Sequence, residues 1–211
     1  MTERPYAGKL AAERQADRRE RLIAAGLDLI GTEGMAGTTV RAICQRAGLS
    51  TRYFYESFDS LDALLLAVFD AIMERTVERM LPALESADGS LRTLLEGLGS
   101  AFIEMTVDEP RAMRIGFIEA WNSEALMRHR VQTLHNCAHL LAAAVIARSP
   151  GDPDEQAVAT AAFMVVGGLL ESILGWIDGS LNLDRDALLR NFATVAEAAL
   201  TAASATTRSP R

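Results

Sequence analysis

Between Gly34 and Ser57 the chain reads GMAGTTVRAICQRAGLSTRYFYES, and its hydrogen-bonding side chains include Arg41, Ser50, Thr51, Arg52, Tyr53 and Tyr55. Two short amphipathic helices hinged at Gly48-Leu49-Ser50 would carry these groups on one exposed surface, the arrangement of a helix-turn-helix that meets DNA. Arg52 offers the fork that pairs with guanine, Thr51 can touch a thymine methyl or a phosphate, and Glu56 can accept from cytosine or exclude wrong bases. Tyr55, Tyr53, Arg41 and Ser50 suit phosphate contacts. Tyr53 has a second reading, packing against the first helix, whereas Arg52 has no apolar face to serve.

The elements that must hold these groups can be read from the apolar spacing. Val40, Ile43, Cys44 and Ala47 fall at i, i+3, i+4 and i+7, so the first helix buries that stripe and turns Arg41, Gln45 and Arg46 outward. Thr38 or Thr39 can cap its start. Gly48 stands where the helix needs a left-handed residue, and Ser50 is placed to cap the next helix. Leu49 and Phe54 then occupy the two positions of a hydrophobic staple. Phe54 and Phe58 point inward while Arg52, Tyr55 and Glu56 lie roughly opposite.

The remaining chain reads as helices and breaks. Helix 1 is expected from about Glu13 to Thr32, with Leu22, Ile23, Leu29 and Ile30 inward and Gly34 ending it; helix 4 starts after Ser60 and stops at Pro82. Further helices are expected at about 90–107, 110–119, 123–148, 154–178 and 184–203, with breaks at Gly89, Pro110, Asn122, the Pro150-Gly151-Asp152-Pro153 loop and Gly179. An all-α chain of nine helices results. Its expected divisions are a flexible arm over 1–12, a helix-turn-helix domain over 13–59, a helical ligand-binding and dimerisation domain over 60–203, and a disordered tail over 204–211.

Charge is unevenly spread. The net charge is −7, yet residues 1–60 hold nine basic and eight acidic residues, against twelve and twenty in 61–211. DNA would therefore approach the N-terminal end, since the acidic second part repels phosphates. Arg14, Arg18, Arg19 and Arg21 either add to that attraction or only solvate helix 1.

At this point the chain resembles the TetR family of bacterial transcriptional regulators. The matching residues are Gly34, Thr38, Thr39, Val40, Ile43, Ala47, Gly48, Ser50, Tyr55 and Phe58, followed by Ser60, Asp62 and Leu64. The match covers about the first 65 residues; beyond them it rests on length and helical content. Cys44, Met35 and Ser57 depart from the family pattern conservatively. Leu61 departs more seriously, because the family often has a phosphate-holding lysine there, so one backbone contact is missing.

The apolar stripes of helices 8 and 9 are wide for the last two helices of a small protein, with Val165, Gly168, Ile173 and Trp176 on the first and Phe192, Val195 and Ala199 on the second. Small residues permit close approach, so pairing with the same helices of a second copy would make a four-helix interface. The alternative is a core helix in a monomer. The resemblance implies the dimer, which two operator half-sites also require.

The resemblance also implies a helical cavity for a small-molecule effector. Residues available to line it are Phe102, Met105, Phe117, Trp121, His139 and Phe163, with Met113, Leu134, Met164 and Trp176 nearby in kind. Residues of this kind at helical spacing also serve as plain core. Glu171, among leucines and isoleucine, faces a pocket, a subunit seam or water, because burial without a partner would be costly.

His135 and His139 stand at i, i+4, but Cys137 points elsewhere and leaves two ligands where structural zinc wants four, so no metal and no cofactor are expected. GxSxG, GxxxxGK, GxGxxG and HExxH are all missing, and an enzyme is not expected. The charge-free run Gln156–Leu170 is shorter than the ~18–20 residues of a bilayer span, and the charged N-terminus is unlike a signal peptide. A cytoplasmic location follows, with Cys44 and Cys137 as reduced thiols. The expected function is a dimeric repressor of a palindromic operator, released by a small apolar or amphipathic effector. The alternatives are a small-molecule sequestering module with weak or lost DNA binding, and a ligand-independent or activating regulator.

Overall fold

A computed structural model of the chain describes residues 6–86 and 90–206. Within the described residues nine helical segments follow one another. They are α1 (Tyr6–Glu33), α2 (Val40–Ala47), α3 (Thr51–Tyr55), α4 (Leu61–Ser86) and α5 (Leu91–Asp108). After them come α6 (continuous through Pro110–Met113, Arg114–Glu119 and Ala120–Asn122), α7 (Glu124–Arg148), α8 (Glu155–Ile177) and α9 (Arg185–Ser204).

This is the all-α order expected, with differences at particular places. α1 begins at Tyr6 rather than near Glu13, because Leu10 to Arg14 are strong helix formers. Residues 11–17 are all exposed, so no apolar period announces that extra length. α4 runs through Pro82 to Ser86: proline removes one backbone donor, but its fixed φ is helical. The middle of α6, Arg114–Glu119, is π-helical and extends to Asn122 rather than ending at residue 119. The break expected at Gly89 and the chain ends, 1–5 and 207–211, lie outside the described residues.

The chain forms two compact units. The first takes in the chain through Arg75 together with Asp108–His129; the second takes in Thr76–Val107 and the residues from Arg130 onward. The division therefore falls inside α4 rather than before it, and α6 joins the N-terminal unit. In that unit α1 packs against α2, α3 and α6. Leu22, Ile30, Ile43, Phe54, Leu64, Leu65 and Ile115 are fully buried there, and Gly26 lets Leu64 and Val68 of α4 come close to α1. The bare backbone at Gly26 matters, since a Cβ would stand 2.9 Å from a Val68 methyl.

The second unit builds its core from α5, α7, α8 and α9 around Leu95, Leu141, Val145, Val158, Ala162, Ala193 and Leu200. Asp154 caps α8 by accepting from the Gln156 and Ala157 N–H groups at 2.9 and 3.3 Å, and Asp184 caps α9 by accepting from Ala187 N at 2.6 Å. α8 reaches a mean hydropathy of 1.9 and is long and apolar enough to cross a membrane by length and composition alone. The expectation from its charge-free run is corrected on this point, because Glu171 interrupts the run without making the helix polar. Only 33% of that apolar window is buried.

Candidate nucleic-acid interface

The turn between α2 and α3 is held by backbone chemistry. Thr39 accepts from Ala42 N at 3.2 Å and caps α2. Gly48 takes φ 66°, Gly48 N donates to Gln45 O at 3.2 Å, and Leu49 N donates to Cys44 O at 2.9 Å. These two bonds form a Schellman ending, which needs a residue without a Cβ penalty at the left-handed position. Ser50 has the extended backbone of an N-cap, but its side chain makes no capping bond, so the expected capping role is corrected. Its hydroxyl is left exposed.

α3 sits on Phe54, which is fully buried, and on Phe58 just beyond it; the two rings lie 5.9 Å apart. With that side fixed, Thr51, Arg52 and Tyr55 project into solvent, Tyr55 being 61% exposed with its ring edge-on to Phe54. Arg41 is exposed on α2. Tyr53 is intermediate between its two readings: the residue is 36% exposed, and the Arg18 guanidinium of α1 lies over its ring, 4.5 Å from the centroid. The six candidate DNA contacts thus lie within α2, α3 and the turn that joins them.

Several residues that position this surface carry no signal in the sequence. Arg21 Nη2 donates to Ala47 O at 2.6 Å, placing a cation on the carbonyl end of α2. Arg19 lies over Phe58. Asp28 of α1 pairs with Arg46 of α2 and, at 2.9 Å, with Arg111 of α6. Glu119 is buried; it accepts from Met35 N at 3.0 Å and faces Arg114 Nε at 3.5 Å, while Arg114 Nη1 donates to Thr32 O at 3.0 Å. The end of α1 and the turn leading to α2 are therefore gripped by α6. Arg18, Arg19 and Arg21 thus do more than solvate helix 1. The contact of Glu119 with Met35 spans 84 residues, beyond any local pattern.

The match to known proteins falls on this same surface. Residues 22–68 match the family described as bacterial regulatory proteins, tetR family. Over these residues the chain is similar to that family. Over most of its length the chain shares its fold with several solved structures of low identity. A TetR-like transcriptional regulator from Rhodococcus sp. is 19% identical, with 87% of this chain and 96% of that one covered at a TM-score of 0.65. A TetR family transcription regulator from Marinobacter aquaeolei is 18% identical, covering 89% and 97% at 0.61. The fatty acid degradation regulator FadR from Bacillus halodurans is 17% identical, covering 93% and 97% at 0.68. No curated sequence matches the chain.

The candidate ligand residues are not gathered by either unit. Phe117 and Trp121 belong to the first, where Trp121 is 80% exposed; Phe102, Met105, His139, Phe163 and Glu171 belong to the second. Phe102 and Met105 are buried, while His139 and Glu171 are exposed. His135 and His139 both rest on the Phe163 ring, at 5.0 and 5.2 Å between centroids. An open depression of about 570 Å³ lies elsewhere on the second unit, lined by Asp154, Gln156, Ala157, Thr160, Ala161, Met164 and Ala199.

The candidate dimer residues divide between two sides of α8 and α9. Ile173 is fully buried and Val165 belongs to the core of its own unit, so both face inward. Trp176 is half-buried and donates to Leu183 O at 2.9 Å, closing the α8–α9 connection. Gly168 and Val195 are exposed; Phe192 and Ala199 are half-buried against the core. Exposed Met164 and Gly167 share the outer side of α8 with Gly168.

Proposed function

We propose that this chain is a TetR-type regulator: a homodimeric, effector-responsive repressor that binds a palindromic operator through α3. The observation that carries the reading is the presentation of Thr51, Arg52 and Tyr55 to solvent from a helix whose other side is locked by buried Phe54. Arg52 reads a base edge, Thr51 a thymine methyl or phosphate, and Tyr55, Tyr53, Arg41 and Ser50 hold phosphates. Such a regulator works in the cytoplasm, where the DNA is.

The dimer forms through the outer sides of α8 and α9. Two observations support this: Met164 and Val195 are 71% and 69% exposed, and a Cβ added at Gly167 or Gly168 would meet nothing within 4 Å. An apolar helix with most of its surface uncovered is what an unpaired interface looks like. The effector is a small apolar or amphipathic molecule held by the second unit. Its binding shifts α4, alters the spacing of the two α3 helices and releases DNA. Reciprocity then requires DNA to weaken effector binding by the same factor, typically about 5–150-fold.

Selection from random DNA duplexes at moderate salt tests the operator. The expected result is an enriched palindrome with half-sites about one helical turn apart, near 10 base pairs. No enrichment at any salt would overturn it in favour of a sequestering module. One observation favours that second reading: Leu61, where the family often has lysine, is half-buried at the start of α4 and offers no charge to a phosphate.

A further inference from the structure

Arg52 Nε donates to Glu56 Oε1 at 2.9 Å, one turn further along the chain. The Arg52 side chain is 84% exposed and that of Glu56 38% exposed, so the pair adds little to stability. Its consequence is geometric. A guanidinium has five N–H bonds, one at Nε and two on each Nη. With Nε turned back to Glu56, the Nη1–Nη2 edge is the one left to face a target, and two donors side by side match O6 and N7 of guanine.

We propose that Glu56 is a positioning residue for base reading: it holds Arg52 by Nε so that Nη1 and Nη2 meet a guanine in the major groove. This rests on the operator reading above. Pairing also neutralises a carboxylate that would otherwise stand as bare negative charge beside phosphates. A free arginine must give up rotamer freedom on contact with a base, and one already held gives up less. Loss of Glu56 therefore weakens guanine preference roughly two- to tenfold, without abolishing it.

Wild-type protein first selects its operator from random duplexes. Affinities for that operator, and for versions with each guanine replaced, are then measured for wild type, Arg52→Ala, Glu56→Ala, Glu56→Gln and the Arg52→Ala/Glu56→Ala double variant. Arg52→Ala should remove the guanine preference at one half-site position. Glu56→Ala should reduce the preference at that same position two- to tenfold, Glu56→Gln should restore part of it through its remaining acceptor oxygen, and Glu56→Ala should change nothing there once Arg52 is gone. Three outcomes overturn the proposal: Glu56→Ala acts at a different position, as a direct base contact would; it tightens binding to all sequences alike, as simple charge repulsion would; or it leaves the guanine preference intact. If wild type enriches no sequence, the operator reading fails and the proposal falls with it, a result distinguishable because it precedes every variant.

Discussion

Removing the Glu119 carboxylate should cost the N-terminal unit a measurable part of its stability. Its side chain is 5% exposed, accepts from Met35 N at 3.0 Å and faces Arg114 Nε at 3.5 Å. Glu119→Ala strands a partly buried backbone donor, at a cost of about 1–2 kcal/mol. The lost ion pair adds less than a fully buried one would, because the Arg114 side chain is 37% exposed and can rehydrate. Allowing about 1 kcal/mol for that pair and the vacated space together, the expected loss is roughly 2–3 kcal/mol. Glu119→Gln keeps an oxygen for the Met35 N–H and should lose only about 1 kcal/mol. Urea unfolding at fixed protein concentration gives both values, the concentration being held because dimerisation would stabilise by mass action. The reasoning is refuted if Glu119→Ala lies within about 0.5 kcal/mol of wild type, the range of an ordinary surface substitution, or if Glu119→Gln is as damaging as Glu119→Ala.

Three further predictions follow from particular contacts. Gly34→Ala places a Cβ 2.9 Å from Arg114 Nη2 and 3.0 Å from Glu119 Oε1 at a residue with φ 81°; the expected loss is about 1–3 kcal/mol by urea unfolding, and an unchanged midpoint contradicts it. Met164→Glu with Val195→Glu puts two carboxylates on the outer side of α8 and α9, so sedimentation should show association at least about 100-fold weaker, roughly 3 kcal/mol, with helical content unchanged; a wild-type monomer at every concentration removes the premise. Burial pushes the Cys44 thiol up, and pushes Cys137 up against a smaller opposing backbone hydrogen bond. A raised thiol pKa leaves less thiolate at neutral pH, so both should react with iodoacetamide more slowly than free cysteine until the protein is unfolded, and a rate equal to that of free cysteine at either site refutes this.

The elements of the proposed DNA-binding surface were legible because each rests on a local rule. Ile43, Cys44 and Ala47 are buried as their spacing requires, Thr39 caps, and Gly48 is left-handed. Failures occurred where local rules have no purchase. Residues 11–17 of α1 are all exposed, so that stretch has no apolar period, and Pro82 is tolerated because one missing donor does not end a helix. On α8, hydropathy does not separate an inward residue from an exposed one. Val165 and Ile173 turn to the core, whereas Met164, one position from Val165, is 71% exposed. The candidate ligand residues could not be separated from core for a related reason: aromatic and methionine side chains at helical spacing serve a core as well as a cavity.

The positioning of α3 shows why so little of its support could be read from its own sequence. Five residues form too short a helix to be stable alone, since the first turn fixes more dihedrals than its hydrogen bonds repay. Its order must come from neighbours: Phe54 and Phe58 from below, Arg18 over Tyr53, and Arg21 on the preceding turn. Those arginines belong to α1, and α1 is tied in turn to α2 through Asp28 and Arg46 and to α6 through Asp28 and Arg111. A charge change at Asp28 therefore reaches two helices at once. Asp28→Asn should loosen both α2 and α6 against α1 while leaving every proposed DNA-contacting side chain in place. Its effect on operator binding should exceed that of Asp17→Asn, whose pairing with Arg21 at 3.7 Å is exposed on both sides. Equal effects of the two substitutions on operator affinity would mean that net charge, and not the fastening of α1, governs how α3 meets DNA.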